Sequence, residues 1–159
     1  MTLKKNILSI AIMANIVGGT FMTVAIPAQA ADTTSIIESR QGKLKKMGGA
    51  MKAINEQLKA DSADMAKIQQ AAQTLSVNAS ALADWFPAGS GAESGVKTDA
   101  LAAIWQDADK FSEAANKLVA ETTVLVELAS QSTSEGLGAQ LKAVKDSCSN
   151  CHKSFRADK

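Results

Sequence analysis

Apolar positions along this chain recur at alternating steps of three and four, the spacing that lines one face of an α-helix. Four stretches show it. In the first, Ile37, Arg40, Leu44, Met47, Met51, Ile54 and Leu58 share a stripe that runs to about Lys59. Ser35-Ile36-Ile37-Glu38 is a capping-box pattern and predicts that this helix starts near Ser35. Asp61 or Ser62 is placed to cap a second helix, whose face reads Met65, Ile68, Ala72, Leu75, Ala79, Leu82 and Phe86. Pro87 should end it, since its ring cannot continue the backbone ladder. Residues 87–98 hold Gly89, Gly91 and Gly95 with serines between them and predict the longest loop. A third helix from Thr98 or Asp99 carries Leu101, Ile104, Ala108, Phe111, Ala115, Leu118, Thr122, Leu125 and Ala129. Gly136 and Gly138 mark the next break or the first turn, and the last helix sets Leu137, Leu141, Val144, Cys148, Cys151 and Phe155 on one face.

Four amphipathic helices with short connections bury their stripes most simply as an antiparallel up-down four-helix bundle. Steps of three and four also suit near-parallel packing at a shallow crossing angle. Composition agrees, because aromatic residues make up only 4% of the chain and alanine is abundant, which favours helices over sheets. No strand pattern, repeat or second domain is visible, so one all-α domain over residues 31–159 is expected.

Residues 1–30 read as a secretory signal peptide rather than part of that domain. Lys4 and Lys5 form a positive start, an apolar run follows from Ile7 to about Ile26, and Ala28-Gln29-Ala30 is an A-x-A cleavage site. Cleavage is expected near Ala30/Ala31, with a periplasmic product; a membrane anchor is the alternative. Removing this segment takes away two lysines and no acid, so 15 basic residues face 16 acidic ones and the formal charge falls from +1 to about −1. That balance leaves no strong positive field to hold nucleic acid or an anionic membrane.

Cys148-Ser149-Asn150-Cys151-His152 contains both cysteines and the single histidine of the chain. Cys-x-x-Cys-His is the attachment signature of c-type haem. Two thiols three residues apart can each form a thioether to one edge of a porphyrin, and the adjacent imidazole is then held beneath the iron. One haem c per chain is therefore expected, with Cys148 and Cys151 as covalent attachment sites and His152 as axial iron ligand. Two rivals fit less well. A thioredoxin-like pair follows a strand at a helix N-terminus, where the dipole lowers a thiol pKa, whereas this pair lies deep in a final helix. A structural zinc site needs four ligands, and only three candidates stand here. The export signal also supplies the compartment in which bacteria attach c-type haem. Two incidental cysteines in an exported bundle is the bland alternative; their place on the core-facing stripe argues against it.

With these residues in view, the chain resembles the cytochrome c′ family over about residues 32–159. Cys148 to Arg156 resembles the family's C-terminal Cys-x-x-Cys-His-x-x-aromatic-Arg, and Arg40-Gln41 resembles its first-helix Arg-Gln pair. Ile104-Trp105, after Trp85-Phe86-Pro87-Ala88-Gly89, is similar as well, although Ala102-Ala103 stands where the family often has Pro-Glu. The resemblance implies a bundle enclosing the haem, with Arg40 and Gln41 at the haem edge or propionates and Arg156 on the proximal side. It also implies that Leu44 lies on the distal face. Members with methionine at that place are six-coordinate and low-spin; members with a bulky apolar residue leave the iron five-coordinate and high-spin. Leu44 has no lone pair and so implies an open sixth position. Met47 and Met51, one and two turns further along, keep methionine ligation open. Met47 would need a shift of one helical turn, about 5.4 Å; otherwise both methionines fill core space. A buried Arg40 calls for a partner, and a propionate is the natural one. Trp105 and Phe111 could pack against porphyrin or simply against the core.

The expected function is a periplasmic monohaem cytochrome that passes single electrons and takes NO or CO at its open distal face. Small redox proteins or membrane respiratory components are its expected electron partners, with no nucleic-acid partner. A homodimer through the first two helices is implied by the resemblance. A six-coordinate Met-ligated carrier is the alternative, with Met47 as sixth ligand. A peroxidase-like enzyme is a third reading, but no distal histidine or other evident acid–base group is present to assist O–O cleavage. No enzymatic activity is expected.

Overall fold

The computed structural model describes residues 28–131 and 133–158. Its helices are α1 (Ala28–Lys59), α2 (Met65–Ser80), α3 (Ala103–Gln106), α4 (Ala108–Ser130) and α5 (Leu137–Phe155). The four long ones form an all-α up-down bundle in which α1 packs on α2, α2 on α4 and α4 on α5. The remaining seam, α1 against α5, is far more thinly packed. Residues 1–27 of the expected signal peptide lie outside the described residues, and no helix among the described residues is long and apolar enough to cross a membrane.

The core follows the sequence stripes. Ile54, Ile68, Leu75, Leu125, Leu137 and Val144 are fully buried and belong to one cluster. Helix ends depart from expectation in four places. α1 reaches back to Ala28, so Ser35–Glu38 lies inside the helix and its capping box is not used. The alanines before Ser35 propagate a helix once its costly first turn has formed. α2 starts after Asp64, not Asp61 or Ser62: the Asp64 carboxylate accepts from the Lys67 amide at 3.1 Å.

α2 also stops at Ser80, short of Phe86. The chain then tightens through a 3₁₀ turn at Ala83–Trp85, and the carbonyls this frees are claimed by distant donors. The Trp105 indole N–H donates to Phe86 O at 3.0 Å and to Pro87 O at 3.2 Å. Gly91 packs beneath that indole so closely that an added Cβ would lie 2.8 Å from Trp105 Cζ3.

The third predicted helix is likewise shorter and broken. Residues 99–101 are drawn into pairing with the end of α5: Leu101 N–H donates to Phe155 O at 3.0 Å and Ala157 N–H to Asp99 O at 2.8 Å. α3 then spans one turn, and the non-helical backbone of Asp107 separates it from α4. Leu101 and Ala108 are consequently exposed, while Phe111 to Ala129 keep the buried stripe.

Arg40 binds this irregular segment to α1. It is only 2% exposed. Its Nη1 donates to Ser90 Oγ at 3.0 Å and to Trp85 O at 3.5 Å, while Nη2 donates to Ser90 O at 2.8 Å and Thr98 Oγ1 at 2.9 Å. The guanidinium also sits 4.5 Å from the Phe86 ring centroid. Burial lowers its pKa, opposed by the charge of Glu93. Gln41 adds a bond from Nε2 to Lys97 O at 3.0 Å.

Two outcomes are expected from these contacts. Arg40→Ala should lower the unfolding free energy by about 2–4 kcal/mol, because buried acceptors lose charge-assisted bonds. Arg40→Lys should recover only part of it, having one nitrogen in place of a fork; urea titration of both checks this, and a lysine variant as stable as the parent would contradict it. Asp64 is held below the usual carboxylate range chiefly by its bond to the Lys67 side chain. A depressed pKa contributes stability that is complete above the ordinary range and is lost as pH falls through the folded value. Asp64→Ala should therefore lower the thermal midpoint at neutral pH, with a gap that narrows on acidification. Melts across pH would show an unchanging gap if the cap carried no charge effect.

Candidate functional site

The thin α1–α5 seam holds a cavity of about 1210 Å³ that opens to solvent. Both halves of the sequence-predicted site line it: Arg40, Gln41, Leu44 and Met47 from α1, and Cys148, Cys151, His152 and Arg156 from α5 and the residue after it. On a helix, offsets of three and four place Cys148, Cys151 and His152 on one face within about one turn. Leu75, Leu82, Leu118 and Leu141 add apolar wall. Protein interiors rarely leave spaces larger than a water molecule. A cavity of this size, apolar-walled and bearing two thiols and an imidazole, suits a large flat apolar group with polar edges.

The donor set fits that group. Both cysteines are free and half-buried; they line the cavity while packing against the two core clusters. Burial pushes both thiols above their ordinary pKa, opposite in direction to the lowering that activates a redox dithiol. Burial, and then the charge of Arg156, lower the pKa of His152. A neutral imidazole keeps a lone pair for a metal. Among the described residues no group of three or more His, Cys, Asp or Glu could hold a metal ion by itself.

Leu44 is 37% exposed within this lining, whereas Met47 is 6% exposed and packs in the main core cluster. Met51 is half-buried and also reaches the cavity. One end is floored by three rings: Phe86 and Phe111 meet edge-on at 5.1 Å, and Phe111 and Phe155 at 5.3 Å. Phe111 thus borders the cavity, while Trp105 is absent from its lining and serves the loop instead. Arg40 borders the cavity, as expected of a residue at the haem edge, and its guanidinium is also bonded to loop acceptors. Arg156 places Nε 3.8 Å from Asp99 Oδ2. Phe86, Ser90 and Thr98 were not singled out as site-forming residues. Their only sequence signal was the Trp-Phe-Pro-Ala-Gly segment and the serine-rich loop behind it.

Comparison with known proteins agrees with this geometry. A family model described as Cytochrome C' matches residues 35–156. A cytochrome c' from Rhodospirillum rubrum is 34% identical over 137 residues, spanning 86% of this chain and 92% of that protein. A cytochrome c-556 from Agrobacterium fabrum is 34% identical over 125 residues, spanning 77% of this chain and 82% of its own. Among solved structures, a nitric oxide complex of a leucine variant of cytochrome c prime from Alcaligenes xylosoxidans aligns with a TM-score of 0.70. Its sequence identity is 22%, and the match covers 79% of this chain and 97% of that one. Bundle, cavity and the Cys-x-x-Cys-His face of α5 converge on one conclusion: the chain belongs to the cytochrome c′ family, whose members carry covalently bound haem c.

Proposed function

We propose that this protein is a periplasmic monohaem electron carrier with a five-coordinate, high-spin iron whose distal side takes NO or CO. The observation that carries this reading is the single cavity in which Leu44 of α1 shares a lining with Cys148, Cys151 and His152 of α5. Cys148 and Cys151 would hold the haem through thioethers, and His152 would supply the proximal bond. The haem, when bound, supplies one-electron iron chemistry.

The chain's own residues account for the rest. Leu44 offers no lone pair, so α1 presents no ligand at that position. Apolar walls favour small uncharged diatomics over anions, which would have to lose their hydration. A nitric oxide complex is known for the Alcaligenes protein of this fold, and the same ligand class is inferred here. Met47 supports the second reading, a Met-ligated low-spin carrier, but its packing among core residues favours a structural role. The single histidine, assigned to the proximal side, leaves no imidazole for acid–base work, in keeping with a carrier rather than an enzyme. Electron partners would be small redox proteins or membrane respiratory components, and two copies would pair through α1 and α2.

Carbon monoxide titration of the ferrous protein tests the open site. Binding is expected in the parent, and Leu44→Met should suppress it by supplying a sixth ligand; equal binding by both would sink the placement of Leu44. Replacing Cys148 and Cys151 together by serine should leave haem extractable by acidified acetone. Haem retained under those conditions would remove the thioether assignment. Sedimentation of the holoprotein should show a dimer, and a monomer at all concentrations would exclude pairing.

A further inference from the structure

The cavity rim is charged in one sense. Lys45, Lys52 and Lys59 of α1 recur every seven residues on one stripe, and Lys142 and Lys145 line the same cavity from α5, with Lys97 from the loop. From Lys45 to Lys59 this stripe runs about 21 Å at the helical rise. Asp99 is the sole carboxylate among the described lining residues, and it faces Arg156. Even the two carboxylates of a haem would leave positive groups in excess.

The chain as a whole has 17 basic and 16 acidic residues, so this is segregation of charge rather than surplus. α4, diagonal to α1 in the bundle, carries Asp109, Glu113, Glu121 and Glu127 against Lys110 and Lys117. Lys52 and Lys142 make local pairs with Glu56 at 3.6 Å and Asp146 at 2.6 Å. Lys45, Lys97 and Lys145 make no salt bridge among the described residues and stand exposed.

We propose that the α1–α5 seam is the docking face for a redox protein that presents a cluster of carboxylates. The proposal rests on the electron-carrier reading above. A collar of like charge around the opening to the cofactor draws an opposite face to the point of shortest electron path, and orients it on arrival. A lipid surface suits the collar less well. Binding in a membrane interface needs an apolar face beside the lysines; of the exposed large apolar residues, Val77 and Val124 stand on α2 and α4, Leu101 precedes α3, and Leu44 alone lies in the lysine-bearing lining.

Stopped-flow oxidation of the ferrous holoprotein by hexacyanoferrate(III), an anion, and by tris(phenanthroline)cobalt(III), a cation, reads this field. The anion's rate should fall about ten-fold or more between low and high salt while the cation's rises. K45E/K145E should reverse both trends, and K110E/K117E on α4, with the same change in net charge, should not. Equal behaviour of the two variants, or no salt dependence, would overturn the docking face. If K45E/K145E does not fold, K45Q/K145Q should give the same change at smaller size. In parallel, a polyglutamate peptide should shift backbone amide signals of α1 and α5 at low salt; shifts confined to other helices would overturn the proposal. Anionic phosphatidylglycerol vesicles should leave the protein in the supernatant, and salt-sensitive co-sedimentation would replace the protein partner with a membrane. Peptide binding at the seam without electron exchange with either oxidant would retain the docking face and remove the electron-carrier reading.

Discussion

α1 and α5 are both tied, near one end, to a segment of the chain that lies between them in sequence. Three seams of the bundle close by interdigitating apolar stripes, as helices at shallow angles do. At the fourth, α1 and α5 touch sparsely, and residues 85–107 link the two helices near one end. Arg40 holds this segment to α1 through Ser90, Thr98 and the Trp85 carbonyl. The backbone of 99–101 holds it to Phe155 and Ala157 at the end of α5. Trp105 draws Phe86 and Pro87 inward, and Phe86, Phe111 and Phe155 fill the wedge beneath. Both helices are tied to this segment at one end, their own seam is thinly packed, and the cavity lies within that seam.

The arrangement gives the site its two-sided character. One side is a rigid helical face carrying two thiols and an imidazole; the other is a rigid helical face carrying Leu44. Neither depends on a loop for its position, which suits a geometry that must be held closely. The same separation opens a rim on which α1 and α5 both project lysines. A packed seam would have forced those lysines onto outer faces, away from the cavity.

Much of this was legible from residue order. The stripes that bury Ile54, Leu75, Leu118 and Val144 depend on local periodicity, and the Cys148–His152 motif depends on local spacing. What was not legible depends on contacts between distant residues. α2 ends early because carbonyls near Phe86 are bonded by Trp105 and Arg40, which no helical pattern encodes. The third helix loses its first turn because Leu101 pairs with Phe155. Arg40 read as a buried charge in need of a partner, but its bonds to neutral oxygens of a loop fifty residues away are not encoded locally. Cys148 and Cys151 sit on the predicted stripe but are half-buried, since that edge of the stripe borders the cavity. Charge misled in the same way: a total near zero conceals a basic seam and an acidic α4, and only the pairing of α1 with α5 brings the lysines together.

The absorption spectrum of the purified holoprotein, ferric and then ferrous, tests the central claim most directly. If His152 supplies the iron's bond and Leu44 offers none, high-spin, five-coordinate spectra are expected in both states. A low-spin ferric spectrum with a methionine–iron charge-transfer band would contradict the account and assign Met47 or Met51 to the metal.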